Sequence, residues 1–122
     1  MTAEPPRPQR LRRLEVVFVD SPAYFVTACA VSRRKILARR CVQEAFIRFA
    51  KNGPKRGAWI GKYVLMPDHL HVFVALDEEK INLADWMKSL KNTISKALRV
   101  QKIPSPHWQK TFFDHVLRSS ES

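Results

Sequence analysis

No apolar run in this 122-residue chain approaches the ~20 residues that a membrane-crossing helix requires, so a transmembrane segment is not expected. Cysteine is scarce too. Cys29 and Cys41 are the whole complement, and nothing resembling a secretory leader precedes them, which argues against a disulfide framework and for reduced thiols in a cytoplasmic setting. Internal repeats and low-complexity blocks are also missing, which leaves one domain as the arrangement for a chain of this length. The most informative shortage is of acids. Asp and Glu number 11 against 22 Lys and Arg, a formal charge of +11, and such an imbalance on a small domain implies a polyanionic partner, nucleic acid before membrane.

Residues 1–13 (MTAEPPRPQRLRR) combine three prolines with four arginines and have no apolar period, which predicts a mobile basic arm; residues 14–122 form the domain. LEVVFVD and AYFVTACAV are rich in β-branched and aromatic residues, as strands are. From Ser32 the pattern turns helical, with Val42, Ala45, Phe46, Phe49 and Ala50 at three-and-four spacing until Asn52-Gly53-Pro54. AWIGKYVLM and HLHVFVAL then read as a hairpin around Pro67-Asp68. Asn82 is a good N-cap for a long helix with the stripe Leu83, Trp86, Met87, Leu90, Ile94, Ala97 and Leu98, ended by Pro104 and Pro106. A last strand within HWQKTFFDHVLRSSES, followed by a helix start, completes the order strand, helix, strand, strand, helix, strand. That order predicts an α+β, ferredoxin-like sandwich, an antiparallel sheet with two helices on one face.

The other sheet face is then free for a ligand, and the stretch MPDHLHVFVAL places chemistry on it. In an extended chain residues i and i+2 point the same way, so His69 and His71 share a face while Leu70, Val72, Val74 and Leu76 turn to the helices. If Pro67-Asp68 is a two-residue turn, Val64 lies opposite His71, Tyr63 opposite Val72 and Lys62 opposite Phe73, which adds a cation to the histidine face. Neutral imidazole pairs suit Mn, Zn, Co or Ni, and Mg when carboxylates or phosphates complete the shell. The competing reading is a half-exposed strand that contains two polar residues by accident.

Three blocks, MPDHLHVF, WMKSLKNTISKAL and HWQKTFFDHVLR, resemble in order those of the single-tyrosine HUH transposases, in particular the REP-associated tyrosine transposases of bacteria. The likeness covers most of residues 14–118. It implies that His69 and His71 hold a divalent ion, Mg or Mn, against the scissile phosphate of single-stranded DNA beside a hairpin. It also implies a tyrosine nucleophile that leaves a 5′-phosphotyrosine link and a free 3′-OH. In that family the tyrosine follows the W-Q-x-x-F-x-D-H-x-x-R block on the next helix. Here the only tyrosines are Tyr24 and Tyr63, both in strand segments, so the domain is expected to be C-terminally incomplete and to lack the nucleophile helix.

On the 82–100 helix Lys88, Lys91, Ser95 and Arg99 fall at three-and-four spacing opposite the apolar stripe, a face that gains from an anion or is simply solvated. Trp108, Lys110 and Arg118, with Arg33, Arg34 and Lys35, are further candidates for phosphate contact or base stacking. His107 and His115 have no spacing partner. The expected partner is single-stranded or hairpin DNA, with a homodimer left open. Two alternatives stand beside this reading. One is a non-catalytic nucleic-acid-binding module; the other is a metal-dependent phosphohydrolase, which needs carboxylates such as Asp68 or Asp77.

Overall fold

The computed structural model describes residues 22–110 and, as backbone, residues 113–117. The basic arm, the LEVVFVD segment and the helix start expected after Arg118 lie outside the described residues. Seven elements follow in order: β1 (Ala23–Cys29), α1 (Arg40–Lys51), α2 (Gly53–Arg56), β2 (Ala58–Leu65), β3 (His69–Leu76), α3 (Leu83–Val100) and β4 (Phe113–Leu117). The strands form one antiparallel sheet in the order β2-β3-β1-β4, the ferredoxin-like arrangement read from the element sequence.

Alternation along the strands divides the sheet into two faces. Tyr24, Val26 and Ala28 of β1 pair with Val74, Val72 and Leu70 of β3, and all six are buried in the core beneath the helices. Phe46 of α1 and Trp86, Met87, Leu90, Ile94 and Leu98 of α3 close that core from above. The α3 stripe recurs every three or four residues and therefore lies along one side of the helix. Asn82 begins α3 as expected, its side chain accepting a hydrogen bond from the backbone N–H of Asp85 at 2.8 Å.

The hairpin keeps the register read from sequence near its turn. Leu65 pairs with Leu70, Val64 with His71 and Tyr63 with Val72, and the N–H of Met66 bonds to the carbonyl of His69 at 2.8 Å across Pro67-Asp68. Further along, Ile60 pairs with Val74, so a bulge leaves both Gly61 and Lys62 opposite Phe73.

One helix expectation needs correction. The segment after Ser32 is not helical until Arg40: a 3-10 turn, Val31–Arg33, carries Ser32 and Arg33 at φ of 52° and 53°, a left-handed conformation that ends any α-helical ladder there. Asn52-Gly53-Pro54 ends α1 as expected, with Asn52 as its C-cap, and the short helix α2 follows at once. Pro54 fits the first turn of α2, where its missing N–H costs nothing, and Gly57 at φ 86° closes that turn in the left-handed conformation.

Candidate metal centre

The open face of the sheet carries the residues between those that face the helices. Cys29 pairs with His69, Thr27 with His71 and Phe25 with Phe73. His69 and His71 therefore meet as the strand alternation requires, with ring centroids 4.7 Å apart and an interplanar angle of 78°. Phe25 stacks on His71 at 5.3 Å and 14° and also touches Phe73 at 4.7 Å, so His71 rests on an aromatic floor.

Each imidazole is held by one nitrogen. Nδ1 of His69 lies 2.8 Å from Oδ1 of Asp68, and Nδ1 of His71 lies 2.8 Å from Oγ1 of Thr27. Neither Nε2 has a hydrogen-bond partner among the described residues. Ring orientation fixed through one nitrogen while the other stays open is how proteins prepare histidine for a metal. Burial, and then the neighbouring His69, push His71 below the ordinary imidazole value, which favours the neutral form a metal needs. Hydrogen bonds from His69 and Arg33 hold Asp68 below the usual carboxylate range, so it is ionised at neutral pH.

Arg33 completes this shell, donating from Nε to Oδ2 of Asp68 at 2.9 Å. Its loop is tied to the hairpin turn twice more: the N–H of Ala30 donates to the carbonyl of Asp68 at 2.9 Å and that of Leu37 to the carbonyl of Pro67 at 2.8 Å. These bonds offset the left-handed backbone at Ser32 and Arg33, which costs roughly 1–2 kcal/mol per residue. Arg34 is occupied elsewhere, donating to the carbonyls of Pro104 and Pro106 at 2.9 and 3.1 Å.

A two-histidine centre fits a divalent ion with an incomplete protein shell. No group of three or more His, Cys, Asp or Glu side chains gathers among the described residues, so phosphate and water would complete the coordination. Asp68 spends its carboxylate on His69 and Arg33 rather than standing free as a ligand, which removes the feature the phosphohydrolase alternative needed from it.

The candidate DNA-contacting residues fall into three places. Lys62 is exposed in the bulge opposite Phe73, on the histidine hairpin. Lys91, Trp108 and Lys110 belong to a second group, because the 107–110 segment runs beside β1. The N–H of Gln109 bonds to the carbonyl of Cys29 at 3.0 Å, and Cys29 is the residue that pairs with His69 on its other flank. Lys91 is half-buried there; its Nζ donates to the carbonyl of Gln109 at 3.2 Å and lies 5.8 Å from the Trp108 ring centroid, and burial lowers its pKa. The Trp108 indole N–H faces the Lys91 carbonyl at 3.2 Å and Ser95 Oγ at 3.1 Å, while Lys110 is exposed. Lys88 and Arg99 form the third group, exposed on α3 in the helix layer, across the sheet from the histidines. Arg118 lies outside the described residues.

One correction concerns the supposed basic face of α3. Ser95 is buried, bonded at 2.9 Å to Nδ1 of His107, whose Nε2 meets the Ile103 carbonyl at 3.0 Å. The face is therefore split by a packed polar knot that anchors the 103–108 segment. Thr27, a site residue absent from the sequence reading, had only one signal: it is the polar residue in the otherwise apolar strand AYFVTAC.

Both tyrosines lie on the helix side. Tyr63 packs on Phe46 with ring centroids 4.4 Å apart, and Tyr24 is buried with its hydroxyl donating to Glu78. Each is separated from the histidines by the thickness of the sheet.

The ferredoxin-like sheet carries the H-x-H pair on the face away from the described helices, and comparison with known proteins gives the family. The chain belongs to the IS200-like transposase family, whose model, described as "Transposase IS200 like", matches residues 19–120. Among solved structures it is similar to a REP-associated tyrosine transposase bound to a REP hairpin, with TM-score 0.64 and 21% identity over 80% of this chain. This chain spans 57% of that one. It is also similar to a candidate transposase from Deinococcus radiodurans R1, with TM-score 0.62 and 16% identity over 78% of each chain. No curated protein matches. No helix among the described residues is long and apolar enough to cross a membrane.

Proposed function

We propose that this domain binds single-stranded or hairpin DNA together with a divalent ion, Mg or Mn, as the metal-holding part of a DNA strand cleavage and joining site. The observation that carries the reading is the histidine pair with both Nδ1 atoms engaged and both Nε2 atoms open, on the sheet face the helices leave uncovered. The family match supports it, as does the hairpin bound to the similar REP-associated protein. His69 and His71 ligate through Nε2, while Asp68 and Thr27 keep the rings from turning. Bound there, the ion supplies Lewis-acid polarisation of a phosphoryl oxygen. Lys62 on the histidine hairpin, with Lys91 and Lys110 beside β1, takes phosphates flanking the reacting one. Lys88, Arg99 and Arg118 contact DNA further out, and Trp108 offers a ring for base stacking.

Neither Tyr24 nor Tyr63 is the nucleophile. A hydroxyl attacking phosphorus must stand about 3–3.5 Å away and in line, on the histidine side. The packing of both tyrosines on the helix side, Tyr24 buried and Tyr63 partly so, specifically favours a second reading, a nucleic-acid-binding module in which the histidines play no part in chemistry.

Titration with Mn(II), followed through histidine ring resonances, separates the two. Broadening confined to His69 and His71 supports the metal centre; equal broadening at His107, or none at the pair, supports the module.

A further inference from the structure

The hydrogen bonds of His69 and His71 differ in a way that matters for a ligand. A threonine hydroxyl can donate or accept, so Thr27 leaves the tautomer of His71 undetermined. An ionised carboxylate can only accept. The Asp68 oxygens are divided between two donors, Oδ1 receiving from the His69 ring and Oδ2 from Nε of Arg33. That division forces the proton of neutral His69 onto Nδ1 and leaves the Nε2 lone pair pointing away from the turn.

Resting on the metal reading of the site, we propose that Arg33 is a positioning residue. It holds the Asp68 carboxylate so that His69 is kept as the Nδ1–H tautomer, ready to ligate through Nε2. The guanidinium suits this task because Nε and the two Nη groups form a planar fork: Nε serves Asp68, while the Nη groups have no hydrogen-bond partner among the described residues and the side chain is 56% exposed. Those Nη groups are available to a phosphate oxygen, so one residue joins the backbone of a bound strand to the orientation of a metal ligand. A lysine has neither the fork nor an Nε–H. The left-handed conformation at Ser32 and Arg33, clamped to Pro67 and Asp68 by backbone hydrogen bonds, is what delivers the guanidinium to the turn.

Asp68→Asn is the informative variant. An amide has one oxygen for two donors, so either Arg33 or His69 must face its NH2 group. Facing His69, that group converts Nδ1 to an acceptor and drives the ring to the Nε2–H tautomer, which closes the ligand position. In the metal-free protein at a pH where imidazole is neutral, long-range 15N–1H correlation should show Nδ1–H for His69 in the wild type and a shift toward Nε2–H in Asp68→Asn. Arg33→Ala and Arg33→Lys should weaken Mn(II) binding by a factor of about 10, within the roughly 10–100-fold range for residues that orient a metal ligand, with thermal unfolding little changed because the side chain is exposed. His69 as Nε2–H in the wild type, or Mn(II) affinity within two-fold of wild type in both Arg33 variants, overturns the proposal. The tautomer is read without metal, so it tests the hold of Asp68 on His69 apart from the metal reading. Absence of Mn(II) binding by the wild type counts against the metal reading instead.

Discussion

At the scale of single residues, the same side chain does opposite work in two places. His71 rests on Phe25 with Nε2 open, whereas His107 is buried with both nitrogens occupied by Ser95 and Ile103. His71 should titrate below the ordinary imidazole value of 6.5, as burial disfavours its cation. The sign for stability follows. Above pH 6.5 the ring is neutral folded or unfolded; as pH falls below that value the unfolded chain takes up the proton first, so stability declines through the window down to the folded-state value. NMR titration of the ring resonances checks the direction, and a His71 that titrates above 6.5 contradicts it. His107→Ala leaves the Ile103 carbonyl without this donor and Ser95 Oγ with the Trp108 indole N–H alone, and should cost about 2–4 kcal/mol in denaturant unfolding, while Mn(II) binding by the surviving fold stays unchanged. Sequence could not tell these histidines apart beyond spacing. Alternation on a strand made the pair at 69 and 71 legible, but the partners of His107 are Ser95 of α3, twelve residues back, and the Ile103 carbonyl, four residues back.

At the scale of elements, local signals were readable wherever they were self-contained. The Asn82 cap, the α3 stripe and the Pro67-Asp68 turn each depend on residues a few positions apart, and each is found as read. The 30–39 loop was not legible, because its left-handed residues are Ser32 and Arg33 rather than glycine, and the bonds that stabilise them come from a turn more than thirty residues downstream. The hairpin bulge was missed for a related reason: a one-residue slip between Ile60 and Tyr63 changes no apolar pattern when Gly61 and Lys62 absorb it. The α1–α2–β2 junction makes a sharper demand. A Cβ on Gly53 would come 2.5 Å from the Ala58 carbonyl oxygen, a backbone atom that cannot swing aside. Gly53→Ala should therefore destabilise by about 1–3 kcal/mol, seen as a lower Tm. An unchanged Tm would mean that α2 and β2 are free to separate.

At the scale of the whole molecule, the sheet sorts chemistry by face. The helices cover Tyr24 and Tyr63, while the histidines, Thr27 and the aromatic floor of Phe25 and Phe73 share the other side. Charge is distributed differently: cations occur on the hairpin, beside β1 and in the helix layer, so under the proposed function a strand held at the histidines would meet cations in more than one direction. If the histidine centre and a DNA phosphate share one ion, metal and DNA must strengthen each other's binding by the same factor. Fluorescence anisotropy of a labelled single strand adjoining a hairpin, at one fixed salt concentration, measures that coupling. Added Mn(II) is expected to tighten DNA binding by about ten-fold, roughly 1.4 kcal/mol of coupling, in the wild-type protein and to leave a His69→Ala/His71→Ala variant unaffected. Equal affinity with and without Mn(II) in the wild type, or the same tightening in the double variant, would contradict the account.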